Sequence, residues 1–279
     1  MIPRIVPYNM ASKSATSLSN YFGTPKVFYN RRFVPSDEDV LINWGVSEPI
    51  TILNGHGTLL NKPEAVALAS DKLRTFSKLT ELQVPTLRFT THNTVAKDWI
   101  RESKTVYCRT LTRGSQGRGI VIARTENELV PASLYTLGIM NSKEYRVHVF
   151  CGDVIDIIRK KKMTDDKIRE LGLDPRNLSS DIRNLNKGWV FGRDGVNPPP
   201  SVLDLAKKAV LALGLDFGAV DIILDKTNNK PYVLEVNTAI GMREGLTAHK
   251  KYVEAIARKC GRRFDKHAYH ERYGEPTDL

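Results

Sequence analysis

Two short stretches near the carboxyl end decide the fold: Gly218-Ala-Val-Asp221-Ile-Ile-Leu224 and Tyr232-Val-Leu-Glu235-Val-Asn237. Val, Ile and Tyr favour strands, and the residues between the two stretches, 225–230, are rich in Asn, Asp and Lys, which favour turns. The pattern therefore predicts a β-hairpin whose strands are mainly apolar.

Three polar side chains interrupt this apolar hairpin. Glu235 and Asn237 are two residues apart, so they share one face of their strand. Folding the hairpin about its centre places Asp221 opposite Glu235, and Leu224 opposite Tyr232. Two carboxylates in direct cross-strand contact destabilise a sheet unless a cation lies between them. Their hard oxygen donors suit Mg²⁺ or Mn²⁺ rather than zinc. The alternative interpretation is a solvated outer face with three polar residues.

Composition narrows the class of protein. The chain has 279 residues, 41% hydrophobic and 26% charged, which is typical of a globular protein with more than one subdomain. Without a long apolar stretch it is not expected to bind or span a membrane, and the amino-terminal residues resemble a first strand rather than a signal peptide. The three cysteines are widely spaced, which argues against a disulfide framework and favours a cytoplasmic protein.

The chain is strongly basic, with a formal net charge of +11. This favours a polyanionic partner such as a nucleotide, a nucleic acid or an acidic peptide. Basic residues cluster at 159–162 and across 243–272. Charged runs often mark only a solvated face, and the chain contains no recognised nucleic-acid-binding motif.

Short strands and helices alternate along the chain, which predicts an α/β (α+β) fold. Strands are predicted at residues 2–6, 26–29, 40–44, 50–53, 86–90, 105–110, 120–123, 144–150 and 154–158. Helices are predicted at residues 12–22, 94–101, 201–213 and 247–260. Another helix is predicted to begin after Asn61, which we expect to cap it, and a second helical run follows Asp71.

A glycine-rich loop, Gly114-Ser-Gln-Gly-Arg-Gly119, joins two predicted strands. It lacks the Lys and the following helix of a P-loop, and it does not open a helix as a dinucleotide-binding loop does. Such a loop can fold a β-hairpin over phosphates, with its backbone N–H groups and Arg113 or Arg118 directed at them. An ordinary surface turn is the alternative.

Charged residues on neighbouring segments add to this pattern. Glu144, Arg146 and His148 share one strand face, where an Arg beside metal-binding carboxylates would suit an anionic phosphoryl group. A surface ion pair would explain Arg146 equally well. Lys72 and Arg109 flank the glycine-rich loop, and each alone is also compatible with surface charge.

The order of these motifs resembles the ATP-grasp superfamily, which includes D-alanine–D-alanine ligase and the glutamate ligase that modifies a ribosomal protein. The resemblance spans about residues 54–260, and its most specific part is Asp221 followed by Glu235-Val-Asn237-Thr-Ala-Ile-Gly241. Arg109 stands where the family usually has Lys, and Ile240 where relatives often have Pro. Residues 1–53 more loosely resemble compact ATP-grasp proteins of bacteriophage genomes.

This resemblance implies the ATP-grasp architecture. A small amino-terminal α/β domain is expected at residues 1–70 and a small lobe carrying the glycine-rich loop at 71–132. A carboxyl-terminal lobe with the metal site is expected at 133–265, and a loose polar tail at 266–279. The two lobes are expected to clamp ATP.

The resemblance also implies a set of site residues and the cofactors ATP and Mg²⁺. The expected metal ligands are Asp221, Glu235 and Asn237, and the expected catalytic residues are Arg146, Lys160 and Asn237. The ATP-binding residues are expected to be Lys72, Arg109, Gly114, Ser115, Gln116, Gly117, Arg118, Gly119 and Glu144, with adenine near Leu134 and Tyr135. Further substrate or phosphate contacts are expected from Lys161, Lys162, Arg183 and Asn186.

The expected activity is ATP-dependent ligation of a carboxylate to an amine through an acylphosphate. Two alternatives stay open: an enzyme that modifies a peptide, protein tail or nucleic acid docked on the basic surface, and a non-catalytic nucleotide-binding protein. The sequence identifies neither the carboxylate nor the amine, and it does not fix the oligomeric state.

Overall fold

The computed structural model describes residues 1–31, 33–50, 56–114 and 118–276. Its first unit is a parallel sheet in the order β1 (Ile2–Pro7), β2 (Asp39–Trp44) and β3 (Thr58–Leu60). Helix α1 (Lys13–Phe22) begins after Ser12, whose side chain caps the helix by accepting from the Ala15 N–H. Residues 26–29, predicted as a strand, instead form an irregular connection, and most of the strand predicted at 50–53 lies outside the described residues.

Two helices connect this unit to the next. Helix α2 (Pro63–Ala69) precedes α3 (Lys72–Glu81), and the Asp71 side chain caps α3 by accepting from the Arg74 N–H at 3.1 Å. The predicted cap of α2 is wrong, because Lys62 occupies the cap position and the Asn61 side chain is directed elsewhere. Asn61 has a positive φ of 60° and its amide bonds to the backbone of Asp216 and Phe217.

The second unit is an antiparallel sheet in the order β4-β7-β5-β6. Its strands are β4 (Phe89–Thr90), β5 (Val106–Arg109), β6 (Ile120–Ala123) and β7 (Leu134–Leu137), and α4 (Asn93–Arg101) covers one face. The expected lobe boundary after residue 132 is therefore wrong, because β7 pairs with β5 and belongs to this smaller sheet. The predicted strand at 86–90 is reduced to β4.

The largest unit is an antiparallel sheet in the order β10-β9-β8-β11-β12. The strands are β8 (Ser142–Phe150), β9 (Asp153–Lys162), β10 (Trp189–Gly192), β11 (Phe217–Asp225) and β12 (Lys230–Asn237). Helix α6 (Pro200–Ala212) packs on one face, where its Val202 and Leu205 are buried with Val220 and Ile222 of β11. Since side chains alternate along a strand, the polar residues of β11 and β12 lie on the opposite face.

Three further helices complete the described chain. Helix α5 (Asp165–Glu170) lies between β9 and β10, and α7 (Thr247–Lys259) and α8 (Lys266–Tyr273) follow the large sheet. The expectation of a loose tail after residue 265 is wrong for α8, because its Tyr269 is fully buried against α7 and the amino-terminal unit. Short 3-10 helices occur at Glu126–Glu128, Pro175–Asn177 and Leu185–Lys187. Within the described residues, no helix is both long and apolar enough to cross a bilayer.

Candidate active site

The hairpin that β11 and β12 form brings the two predicted carboxylates face to face. Asp221 pairs directly with Glu235, as the sequence predicts. Beyond this pair the predicted register is wrong, because Leu224 pairs with Pro231 instead of Tyr232. A β-bulge shifts the ladder between Asp221 and Ile222 and leaves Leu234 as the extra residue of β12. The bulge lets Leu234 line the same cleft as its neighbour Glu235.

Each carboxylate of this pair is neutralised by its own cation. Arg146 donates two hydrogen bonds to Asp221, from Nε to Oδ1 at 2.6 Å and from Nη2 to Oδ2 at 2.8 Å. Lys72 Nζ lies 3.0 Å from Glu235 Oε2, and the Asn237 amide donates to Glu235 Oε1 at 3.1 Å. Arg146 is therefore more than a surface ion pair, because its partner Asp221 is only 5% exposed.

These contacts set the protonation of the pair. Burial opposes ionisation of Glu235, but Lys72 and Arg146 outweigh it and lower the pKa of Glu235 to about 2. Burial raises the pKa of Asp221 above its ordinary value, although Arg146 counteracts this. Burial alone would lower the pKa of Arg146, yet Asp221 raises it, so the guanidinium stays charged. Glu235 is thus held ionised, and Arg146 stays charged beside Asp221.

A cleft of about 970 Å³ separates the smaller sheet from the large one. This volume is at the upper end of the range for small-molecule sites. Most of the predicted site residues line it: Lys72, Arg109, Gly114, Arg118, Glu144, Arg146, Lys160, Asp221, Glu235 and Asn237. Residues from four separate segments of the chain therefore converge on one cavity, as the sequence predicts.

Arg109 at the end of β5 and Lys72 at the start of α3 add positive charge to this cleft. Arg109 is 9% exposed, and its Nε donates to Thr136 Oγ1 at 3.4 Å. Burial lowers the pKa of Arg109, and the charge of Glu235 counteracts this. Lys72 Nζ donates to the Gly114 carbonyl at 3.1 Å, so it links the start of the glycine-rich loop to the carboxylate pair. This side of the cleft is suited to an anion.

The glycine-rich loop lies only partly within the described chain. Ser115, Gln116 and Gly117, which were expected to contact ATP, lie outside the described residues. Gly119 closes the base of the hairpin, where its carbonyl accepts from the Thr110 backbone N–H at 2.8 Å. Its φ of +71° and the 2.9 Å from an added Cβ to Thr110 Oγ1 both require glycine here. We therefore interpret Gly119 as shaping the loop rather than lining the cleft.

The expected adenine contacts are misplaced. Leu134 and Tyr135 are 0% and 2% exposed, and they do not line the cleft. The Tyr135 hydroxyl is directed into the smaller unit, where it accepts from Asn93 at 3.2 Å and donates to the Val130 carbonyl at 3.1 Å. The cleft is lined instead by the next residues of the chain, 136–139. The sequence located the connecting segment but not which of its residues are accessible.

The expected contacts around β9 divide into two groups. Lys160 lines the cleft, 3.5 Å from Glu144 Oε1, and donates to the Arg183 carbonyl. Burial raises the pKa of Glu144, and the charge of Lys160 counteracts this. Arg183 and Asn186 also line the cleft. Lys161 and Lys162 do not, because they pair with the Asp194 carbonyl and with Asp165 respectively.

Several residues of the site were missed by the sequence analysis. Trp189 and Phe191 of β10 line the cleft, as do Ile223 and Leu234. The connection between β9 and β10 also reaches the smaller sheet, since Arg124 Nη2 lies 2.7 Å from Asp181 Oδ2. Trp189 and Phe191 are two residues apart, which could have indicated that they share one strand face. No local pattern shows that this face meets the cleft.

The donor set determines which metal the hairpin could hold. Within the described residues, no group of three or more His, Cys, Asp or Glu side chains is suitably placed for a metal ion. The set Asp221, Glu235 and Asn237 contributes two carboxylates and one amide, whose oxygens fit a hard cation such as Mg²⁺. These three side chains supply too few ligands for a complete metal site. They therefore fit a metal that also binds oxygens of a bound phosphate.

Solved structures of known ligases share the fold of this chain. No family model matches the chain. The structure of the ATP-grasp ligase PsnB, complexed with minimal precursor, Mg and ADP, superposes with a TM-score of 0.60 at 14% identity, covering 93% of this chain and 98% of PsnB. The chain has the ATP-grasp fold. D-alanine–D-alanine ligase from Bacillus anthracis shares this fold with a TM-score of 0.61 at 14% identity, covering 97% of this chain and 98% of that ligase.

A curated relative supports this assignment from sequence. A probable alpha-L-glutamate ligase of Parasynechococcus marenigrum (strain WH8102) is 27% identical over 227 residues. The match covers 73% of this chain but 44% of the relative, so this chain spans less than half of that protein. The predicted fold class is thus confirmed.

Proposed function

We propose that this ATP-grasp chain is an ATP-dependent ligase that joins a carboxylate to an amine and releases ADP and phosphate. The observation that carries the proposal is the pair of the buried Asp221 and the partly buried Glu235, directly opposed across the hairpin and facing a cleft lined with cations. A sheet has no structural need for opposed carboxylates, which cost stability unless they are neutralised. The ligases that share the fold support this function.

The residues of the cleft divide into three roles under this proposal. Lys72 and Arg109 bind the phosphates of ATP, since both line the cleft near the glycine-rich loop, Arg109 buried and Lys72 partly buried. Asp221, Glu235 and Asn237 would hold Mg²⁺, which neutralises charge on the β- and γ-phosphates. Arg146 stabilises the phosphoryl group during transfer, because its guanidinium presents several N–H donors beside the carboxylates.

The chemistry has two steps. A carboxylate oxygen of the first substrate attacks the γ-phosphorus, the bond to the β-phosphate oxygen breaks, and ADP leaves with an acylphosphate formed. The nitrogen of the amine then attacks the acyl carbon, phosphate leaves, and the nitrogen loses a proton.

The compartment is part of the same proposal. All three cysteines are free thiols in the structure. We propose a reducing, cytoplasmic location, where free thiols persist and Mg-ATP is available.

The experiment that tests the function uses hydroxylamine as a surrogate amine. An acylphosphate reacts with hydroxylamine to give a hydroxamate, so only the carboxylate must be found by screening amino acids, peptides and other acids. We expect carboxylate-dependent ADP release together with hydroxamate. ATP binding without either product, across the whole panel, would favour the non-catalytic nucleotide-binding alternative.

A macromolecular acceptor is the second candidate. Residues 243–272 carry nine Lys and Arg against four Asp and Glu, and Lys259, Arg263 and Lys266 in this stretch are exposed. Such a surface could dock an acidic polymer that carries the substrate group. Binding of an acidic peptide or of nucleic acid that weakens steeply with salt would support this candidate. Rapid turnover of free amino acids would count against it.

A further inference from the structure

Phe191 on β10 holds two of the proposed catalytic cations on its ring. The Cζ atom of Arg146 lies 4.5 Å from the ring centroid, and Nζ of Lys160 also lies 4.5 Å from it. Both distances are within the range in which a cation is attracted to an aromatic face. One ring thus contacts both the residue proposed for phosphoryl transfer and a second cation of the cleft.

The sheet explains why these three side chains meet. Phe191 pairs directly with Lys160 across the β9–β10 ladder. Arg146 pairs with Ile158 across the β8–β9 ladder, and Ile158 is two residues from Lys160, so all four share one face. The long side chain of Arg146 therefore reaches diagonally over β9 to the ring.

A role in the apolar core would be the simplest explanation for Phe191, but the structure does not favour it. Phe191 is half-buried and lines the cleft. The four apolar clusters formed by the described residues do not include it. Its close contacts with two charged groups are the feature that needs an explanation.

The contacts of Arg146 supply that explanation. Its Nε and Nη2 atoms both donate to Asp221, which is also a proposed metal ligand. A carboxylate that ligates a metal has less electron density to offer a guanidinium, so Arg146 needs a second partner to stay in place. An aromatic face is such a partner, because it attracts the guanidinium plane without occupying the N–H donors that a phosphoryl group would use.

We propose that Phe191 is a positioning residue that keeps Arg146, together with Lys160, directed at the γ-phosphoryl group of bound ATP. This inference rests on the proposed function, but it concerns a residue that the function does not itself require. Under this proposal, the edge strand β10 helps the protein to discriminate ATP from ADP.

The test compares equilibrium binding of Mg-ADP and of Mg-AMPPNP, an analogue that keeps a γ-phosphoryl group, by titration calorimetry. Phe191→Leu removes the aromatic face and keeps an apolar side chain, whereas Phe191→Tyr keeps the face. We expect Phe191→Leu to weaken AMPPNP roughly tenfold while ADP changes less than about twofold. Phe191→Tyr should bind both nucleotides like the unmodified protein.

Phe28→Leu serves as the matched control, because Arg31 lies 4.2 Å over the Phe28 ring, which does not line the cleft. This variant should leave both affinities unchanged. Thermal unfolding of each variant checks that folding is retained. An equal loss of AMPPNP and ADP affinity in Phe191→Leu, or a loss in Phe191→Tyr as large as in Phe191→Leu, would overturn the proposal.

Failure of the proposed function gives different results. If the unmodified protein binds both nucleotides but forms no hydroxamate, the ligase proposal fails. The effect of Phe191→Leu on AMPPNP affinity relative to ADP affinity still decides the role of Phe191. If it binds neither nucleotide, both proposals are overturned.

Discussion

Two polar networks in this protein, one buried and one partly buried, differ in the kind of partners they use. Asn61 is fully buried, and its amide bonds only to backbone: it donates to the Phe217 carbonyl at 3.0 Å and accepts from the N–H groups of Asp216 and Phe217 at 2.8 and 3.1 Å. The pair of Asp221 and Glu235 instead bonds to side chains, Arg146 and Lys72. Backbone partners cannot be exchanged without moving the chain, whereas side-chain cations can change partner when a ligand enters.

The difference suggests that the first network serves the structure and the second serves function. The Asn61 network joins the end of β3 to the start of β11, so it fixes the amino-terminal unit on the large sheet. The carboxylate network lies in the cleft, where each charge has a partner that a phosphate or metal could replace. The following predictions test this division.

The largest effect is expected from Glu235→Gln. The amide keeps the shape and an acceptor for Asn237, but it removes the charge that the proposed metal site needs. We expect turnover to fall on the order of a thousandfold in protein that stays folded, with some loss of unfolding free energy because Lys72 and Arg146 stabilise the ionised Glu235. Hydroxamate formation and urea unfolding measure the two quantities. Asp225→Asn, at the last residue of β11 and not among the residues that line the cleft, is the control, and unchanged activity in Glu235→Gln would remove the metal assignment.

The converse result is expected at Asn61. Asn61→Gly removes the amide but tolerates the positive φ, and the unsatisfied backbone groups should cost about 2–4 kcal/mol of unfolding free energy. Asn61→Ala should cost about 1 kcal/mol more, because alanine is strained at this φ. Urea unfolding separates the two contributions. Turnover per folded molecule should be unchanged in both, and a selective loss of activity would contradict the division.

A third prediction uses pH to isolate the charge of Glu235. Its pKa in the folded protein is about 2, below the ordinary value of about 4.3 in an unfolded chain. A lowered pKa stabilises the folded state above the unfolded value, and this stabilisation is lost as the pH falls toward the folded value. As the pH falls from 4.5 to 2, the unfolding free energy of the unmodified protein should therefore decrease relative to that of Glu235→Gln. A difference that does not change with pH would show that Glu235 is not held ionised.

The smallest effect is expected at the contact between the lobes. Arg124→Gln removes the ion pair with Asp181, which is partly exposed and so contributes at most about 1 kcal/mol. We expect the KM for ATP to rise by up to about fivefold with little change in kcat. Arg101→Gln is the matched control, because its partners Asp98 and Glu126 lie within the same smaller unit. Equal effects of the two variants would mean that the contact does not help to close the cleft.

Much of the site could be predicted from sequence because its main feature is local. The distance from Asp221 to Glu235 along the chain is short, and a hairpin allows only a few registers. The periodicity of two in β8 likewise placed Glu144 and Arg146 on one face. The prediction failed at Leu224 because a bulge adds one residue to one strand, and nothing in the apolar pattern marks it.

The remaining errors concern long-range partners. Asn61 has the sequence context of a helix cap, but its amide is held by residues 155 and 156 positions later in the chain. Tyr135 lies in the segment that joins the lobes, yet its hydroxyl has partners within the smaller unit that bury it. Phe191 meets Arg146 only through the order of three strands. Such pairings depend on sheet order, which local patterns do not contain.

The connection between β9 and β10, residues 163–188, has a consequence for how this protein could acquire new specificity. Part of it forms one side of the cleft, and it contacts the smaller sheet where the Tyr107 hydroxyl donates to the Asp181 carbonyl at 3.1 Å. It nevertheless joins two neighbouring antiparallel strands, so its length and sequence can change while both sheets keep their registers. Recombination or grafting at this one connection would reshape the cleft and leave the carboxylate hairpin intact, which makes it the natural site for redesign.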